Sequence, residues 1–349
     1  MADQPLSPPV VTRDFDLALP DSREAHEPPE ARGVTRASVR LLVSFTDGDR
    51  IEHSQFADLP TFLLPGDLLV INVSATIPAA LTAHRKDGTG ILTHISTQLP
   101  AGLTVVEFRE VSVSTGETLE LPGSGEITAL APYPGSQRLW ISRLKLPEPL
   151  LPYLGRWGKP ITYSYIRGSW PIEMYQNVYA SVPGSAEMPS AGRPFTTEIM
   201  DQLAQAGVFF TPVILHTGVS SLEHDEPPYP EYFEVPHEAV TAIQRAKKRK
   251  SRVIAVGTTV VRALESAVDE SGRPIAERGW TDLVISAEHC PRVVDGLLTG
   301  FHEPKATHMA ILEALAGRKR VMQAYHAALE ESYLWHEFGD LHLILPVGA

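Results

Sequence analysis

The sequence predicts an α/β domain built from both ends of the chain, with a small β-barrel inserted between them. Three observations predict it. Continuous apolar runs, GDLLVIN at 66–72 and VIAV at 253–256, read as strands buried on both faces, as in a parallel sheet. Helical stripes with start and stop signals alternate with such runs near the C-terminal end of the chain. Between residues 81 and 164 the texture changes: GILTHIS, LTVVEFREV, TLELPG, EITALAPY and QRLWISRLK follow one another across Gly- and Pro-marked turns, with no helical stripe between them. The predicted organisation is a flexible tail at 1–12, an α/β domain from 13–80 and 165–349, and a barrel-like insertion at 81–164.

Along the α/β part, residues 14–19 are expected to start an edge strand, and RLLVSF at 40–45 reads as another strand. Thr196 or Thr197 caps a helix whose stripe of Ile199, Met200, Leu203 and Ala206 stops at Gly207. VFFTPVILH at 208–216 is a strand, and residues 236–250 form a helix leading into the 253–256 strand. Gly257, Thr258 and Thr259 then turn the chain into a helix that carries Val261, Leu264 and Val268 on one stripe. Residues 282–285 are expected to be a further strand. Pro304 suits the first turn of a helix bearing Met309, Leu312 and Leu315 and stopped by Gly317. A last helix at 318–333 and a last strand at 341–345 complete the reading.

Composition narrows the functional classes. With 43% hydrophobic and 21% charged residues the chain is an ordinary globular one. No apolar run approaches the roughly 18–20 residues that span a bilayer, so no membrane segment is expected. Cys290 is the only cysteine, which rules out an intrachain disulfide and points to the cytoplasm. A formal charge of −12 speaks against a general nucleic-acid binder, although RAKKRKSR at 245–252 is one dense basic run. That run also sits where a helix C-terminus favours cations. No thiolate cluster or HExxH spacing occurs, so no metal is expected; a P-loop, a GxGxxG after a strand and a GxSxG elbow are also missing.

Several segments at strand ends or helix starts carry candidate chemistry. The strand–Gly257-Thr258-Thr259–helix junction offers backbone N–H groups at the carboxyl end of a sheet, where open α/β proteins bind ligands. Arg262 and Glu265 follow one turn along, three apart. His216 ends a strand, and His302 lies near Lys305 ahead of a helix; either can act as an acid–base group or be a plain hydrogen-bonded histidine. Lys305, expected in a first helical turn, would be disfavoured there by the macrodipole unless it meets an anion or pairs with Glu303.

These segments together resemble the S-adenosylmethionine:tRNA ribosyltransferase-isomerase family of queuosine biosynthesis, from about Phe15 to Leu345. RVIAVGTTVVRALES resembles the family's RVIAVGTT-x-x-R-x-LES, and FHEPKATHMAILEALAG its FHLPKST segment. GDLLVIN, Tyr175-Gln176, Gly184-Ser185, Ala191-Gly192 and FGD at 338–340 also match. The resemblance implies an α/β domain with an inserted β-barrel, S-adenosylmethionine as ribosyl donor and co-substrate with no further cofactor, and an aminomethyl-deazaguanine in tRNA as acceptor. It implies His302 or Glu265 for proton transfer, with His216 as a further candidate. Lys305 and the Gly257–Thr259 amides would hold an anion, Arg262 would orient Glu265, and Tyr175, Gln176, Ser185 and Gly192 would bind substrate.

The chain also departs from the family pattern. Where the family reads N-D-T-R-V-I-P-A-R-L, this chain has Val73, Ala75 and Ala80 at the acid and the two arginines. The family's G-S-V-A-A-P-T-A-G-L-H-F-T is GSAEMPSAGRPFT, which puts Pro194 at its histidine and introduces Glu187 and Arg193. Three readings follow: the family's own reaction, an S-adenosylmethionine-using enzyme with a non-tRNA acceptor, or a non-catalytic binding homologue. Oligomeric state is not specified by any feature of the sequence.

Overall fold

The computed structural model describes residues 17–136, 138–219, 229–286, 290–304 and 306–346. The expected tail at 1–12 and most of the expected 14–19 strand lie outside these residues; residues 17–19 are not strand. In chain order the first strands are β1 (Arg40–Phe45), β2 (Ile51–Gln55), β3 (Leu68–Asn72) and the short β4 (Ser74–Thr76). Six strands follow: β5 (Ala80–His84), β6 (Gly90–Leu99), β7 (Leu103–Phe108), β8 (Thr118–Leu121), β9 (Gly125–Pro132) and β10 (Leu139–Lys145). Helix α1 (Leu150–Trp157), strand β11 (Val182–Ser185), helix α2 (Thr197–Gln205) and strands β12 (Phe209–Leu215) and β13 (Glu231–Val235) come next. The rest comprises α3 (His237–Lys248), β14 (Val253–Val256), α4 (Thr258–Ser266), β15 (Glu277–Thr281), β16 (Gly296–Gly300), α5 (His308–Ala316), α6 (Arg318–Glu330) and β17 (Leu341–Leu345).

Nine strands form one sheet in the order β15-β13-β12-β3-β14-β16-β17-β1-β2, and β5 to β10 close a barrel. The centre of the sheet, β12-β3-β14-β16, is parallel. Its middle strand β14 is apolar throughout because both faces are covered, while β12 alternates buried and more exposed residues. Along β14, Val253 and Ala255 face the core formed with α3, α4, α5 and α6, while Ile254 and Val256 face the core formed with Phe56, Phe195 and α2. A third core, with Ile91, Val106, Leu119 and Ile127, fills the barrel. The predicted fold class, an α/β domain made from both chain ends with an inserted barrel, is the observed one.

Differences lie at the edges. The strand expected at 282–285 is not formed: the edge strand is β15, and the chain leaves it where Thr281 Oγ1 accepts the Leu283 N–H at 3.1 Å. Ile285 is buried from a non-strand segment, so an apolar run there signals core contact and not pairing. The helix expected to open at Pro304 opens at His308, with Thr307 as its N-cap. Helix α1 and strands β2, β13 and β16 were not anticipated. Strand β16, GLLTG, is fully buried but framed by glycines; a Cβ at Gly296 would lie 2.9 Å from the Ile344 carbonyl oxygen.

What matters for function is polarity. Asn72, His216, Gly257 and Phe301 all stand just at or beyond the carboxyl ends of parallel strands, at one rim of the sheet. The chain leaves that same rim through β4 for the barrel and returns through β11, which pairs with β4. A crevice outside the carboxyl ends of a parallel sheet is where such folds take ligands.

Candidate functional site

Asn72 ends β3 with a buried amide that knits the rim together. Its Oδ1 accepts the Leu215 and Ser74 N–H groups at 3.1 Å each, and its Nδ2 donates to the Leu215 carbonyl at 2.8 Å. This fixes Ser74, whose hydroxyl lies 2.6 Å from Ser185 Oγ and 2.7 Å from His216 Nδ1. Ser185 Oγ in turn accepts the Thr217 N–H at 3.1 Å. His216 stacks on Tyr232, and a Cβ at Gly184 would come within 2.5 Å of its ring, so only glycine lets β11 approach this histidine. Burial lowers the His216 pKa, so the ring is neutral near pH 7. With Nδ1 engaged, Nε2 has no hydrogen-bond partner among the described residues.

At the β14–α4 junction Gly257 has φ 97°, a conformation that excludes side chains, and its N–H donates to the Leu298 carbonyl at 2.8 Å. No side chain caps the helix that starts at Thr258. Among the described residues no partner takes the Thr258 and Thr259 N–H groups at the rim, and Thr259 Oγ1 lies 3.4 Å from Asn72.

The expected Arg262–Glu265 partnership is not made, which corrects the sequence reading. Arg262 pairs with Glu231 at the start of β13 and donates to the Leu283 and Thr281 carbonyls. Glu231 also accepts the Gly218 N–H at 2.9 Å, so Arg262 braces the loop that follows His216. Glu265 is 3% exposed, and its carboxylate accepts the Arg292 and Val293 N–H groups at 2.8–3.0 Å. Its oxygens hold a backbone segment, so it is an anchor and not a proton-transfer group. Helical spacing placed it near the apolar stripe but not its partners, which lie 27 and 28 residues away.

Beyond β16, His302 Nε2 lies 2.9 Å from Thr299 Oγ1 and its ring stacks on His308 at 4.5 Å. Its backbone is pinned at both ends, the N–H donating to Tyr325 and the carbonyl accepting from Trp335 Nε1. Burial, with smaller contributions from His308 and His336, holds its pKa well below the histidine value, so the imidazole is neutral. Lys305 lies outside the described residues.

The residues implied only by family likeness have definite structural tasks. Gln176 clips Thr76, accepting its N–H at 3.1 Å and donating to its carbonyl at 2.7 Å. Tyr175 packs on Phe338 with its hydroxyl buried and without a partner. Gly192 leaves room for Tyr179 and Asn177: a Cβ there would sit 1.9 Å from the Tyr179 hydroxyl.

Several groups at this rim escaped sequence reasoning. Ser74 and Asn72 carried only a likeness to the family pattern. Tyr163 and Tyr165 come from the irregular return segment, stack on each other at 5.9 Å, and donate to Glu187 and Glu337 respectively. Glu187 stood out as a departure; Glu337 had the position beside the FGD motif as its one available signal. Glu337 lines a pocket for roughly one water-sized group, together with Ser190, Arg193, Gly300 and His336. Arg193 is directed away from solvent, 2.8 Å from Glu30, donating to the Met174 carbonyl and lying over the Phe338 ring.

The fold and this rim define an open α/β protein with a polar crevice between the sheet and an inserted barrel, furnished with neutral histidines and an uncapped helix start. The chain belongs to the queuosine biosynthesis protein family, whose model matches residues 12–344. It is 34% identical to the S-adenosylmethionine:tRNA ribosyltransferase-isomerase of Desulforamulus reducens over 95% of this chain and 99% of that protein. It is 35% identical to the Thermus thermophilus protein of the same name, over 95% of this chain and 98% of the relative. The crystal structure of S-adenosylmethionine tRNA ribosyltransferase from Thermotoga maritima superposes with a TM-score of 0.54 at 31% identity, covering 95% of this chain and 99% of that one.

Proposed function

We propose that this chain transfers the ribosyl portion of S-adenosylmethionine to a 7-aminomethyl-7-deazaguanine in tRNA and isomerises it, giving epoxyqueuosine and releasing adenine and methionine. The observation that carries the reading is likeness along nearly the whole length to enzymes bearing that name. The chemistry needs a base for a proton beside the sulfonium, help for departing adenine, and groups that hold the methionine carboxylate. In this reading the uncapped amides of Thr258 and Thr259 hold the carboxylate. His302 and His216, both neutral, move protons, and Ser74 and Ser185 fix the tautomer and aim of His216. Arg262 and Glu265 support the site from behind.

One observation favours a second reading, in which the acceptor is not tRNA. The two arginines of the family pattern are Ala75 and Ala80, and Ala80 is buried opposite His94 in the barrel. Arg193, the new cation, is neutralised by Glu30 and cannot replace them toward phosphate. Adenine released from S-adenosylmethionine is the test. Release only with tRNA carrying the aminomethyl base supports the first reading; release with tRNA absent supports the second; no release with either sinks both.

A further inference from the structure

Glu337 is the one feature of the rim that the reaction scheme above leaves idle. Its carboxylate can accept about four hydrogen bonds. Among the described residues it receives two, from the Tyr165 hydroxyl and from its own backbone N–H, and no cation pairs with it. Part of its surface still reaches solvent, so it lies on the floor of a cleft and not in the core. Two other polar atoms nearby are also unsatisfied. Among the described residues, His336 Nε2 is buried without a hydrogen bond, 3.7 Å from a Glu24 carboxylate oxygen, and Tyr175 Oη is buried without a hydrogen-bond partner. Buried polar groups normally find partners, so orphans that cluster mark a place where something else binds.

We infer that Glu337 and Tyr165, with His336 beside them and the Tyr163–Glu187 pair adjoining, form a binding site for a protonated primary amine of the substrates. The match is one of donors and acceptors. The site has a carboxylate, a neutral imidazole nitrogen and a phenol oxygen to offer as acceptors, while an ammonium has three N–H donors and no acceptor. Arg193 does not compete, because Glu30 neutralises it and the Met174 carbonyl takes its Nε.

This inference rests on the proposed reaction for the identity of the amine. Two amines qualify: the α-ammonium of S-adenosylmethionine and the aminomethyl group of the acceptor base. If the acceptor amine is the one held, the carboxylate also takes its proton. The N–H bond breaks, an O–H bond forms on Glu337, and the nitrogen lone pair is freed to form the bond to the sugar. Burial raises the Glu337 carboxyl to about 7, a value suited to holding and taking such a proton.

The test is binding, which needs no turnover. Kd is measured for S-adenosylmethionine, and separately for tRNA with and without the aminomethyl group, with wild type and Glu337→Gln, which keeps the shape. The expected result is a roughly ten- to hundred-fold weaker Kd in one arm, which also names the amine's owner. Both arms unchanged within about twofold would overturn the inference. If Glu337→Gln does not fold, Tyr165→Phe is expected to weaken the same arm several-fold.

A pH series on wild type gives a readout that a purely structural role would not move. Affinity in that arm rises from pH 6 to pH 8 as Glu337 ionises; a flat profile would contradict the assignment. The groups facing Glu337 are Tyr165, Tyr163 and Glu187 from the barrel side, Tyr175 and Arg193 from the rim, and the neighbouring His336; none of the tyrosines ionises in this range. Weakened binding without any adenine release by wild type would refute the reaction and leave the amine site standing. Normal turnover with both affinities unchanged in Glu337→Gln would refute the amine site alone.

Discussion

Two glutamates withdrawn from bulk water, Glu107 in the barrel wall and Glu337 at the sheet rim, are treated in opposite ways. Glu107 is 1% exposed and saturated: His94 Nδ1 and Arg138 Nη1 both lie 2.8 Å from its oxygens, and Arg109 Nη1 lies at 3.2 Å. Burial alone would raise its pKa, but His94 and Arg138 overcome that and bring it down to about 2. Glu337 has only neutral donors, the Tyr165 hydroxyl and its own backbone N–H, so burial prevails and its carboxyl rises to about 7. The lesson is that burial does not set a carboxylate's behaviour; the inventory of partners does. A saturated acid fastens the fold, while an unsaturated one is held ready for a ligand, at some cost in stability.

Substitutions that separate the two roles sharpen this contrast. The largest effect is expected at the chemistry itself: His302→Ala should lower adenine release by about 10²- to 10⁴-fold with the melting transition still cooperative. Unchanged release would remove His302 from the reaction. Next, Glu107→Ala strands Arg138 and His94 without their shared acceptor and should cost about 3–5 kcal/mol in denaturant unfolding. A loss under about 1 kcal/mol would mean that the cluster is not the fastening described above.

Smaller effects come from pH. The folded-state pKa of Glu107 is depressed, so its stabilisation is present above about pH 4.5 and is lost as pH falls toward about 2. Thermal melts from pH 6 to pH 3 should show wild type losing its advantage over Glu107→Gln. For Glu337 the sign reverses. Its folded-state pKa is raised, so stability is full below about pH 4.5 and declines as pH rises through about 7. Glu337→Gln should therefore be more stable than wild type by about 3 kcal/mol at pH 8 and close to it near pH 4.5. Equal melting curves at pH 8 would contradict the unsaturated-acid account.

Much of this molecule was legible in the sequence where one segment carries its own signal. Residues 253–256 are buried on both faces and read as such, and 341–345 read as a strand. The barrel strands announced themselves through close spacing. Strand β16 did not, because glycines frame it and a threonine interrupts it, although the sheet buries it completely. The edge strand Glu277–Thr281 was missed for the neighbouring apolar run, since an edge needs little apolar surface. At the rim, His216 was recognised from its place at a strand end and His302 from its place ahead of a helix. Ser74, which holds His216, and Tyr165, which holds Glu337, were not: these partners are 142 and 172 residues apart in the chain. Glu265 shows the converse error, a helical spacing that identified a buried acid but assigned it the wrong partner.

Adenine release by wild type, with S-adenosylmethionine present and with tRNA that carries or lacks the aminomethyl-deazaguanine, tests the central claim most directly. The account predicts adenine and methionine in equal amounts, formed only with the aminomethyl tRNA. Release that ignores the tRNA, or none while S-adenosylmethionine binds, would contradict it.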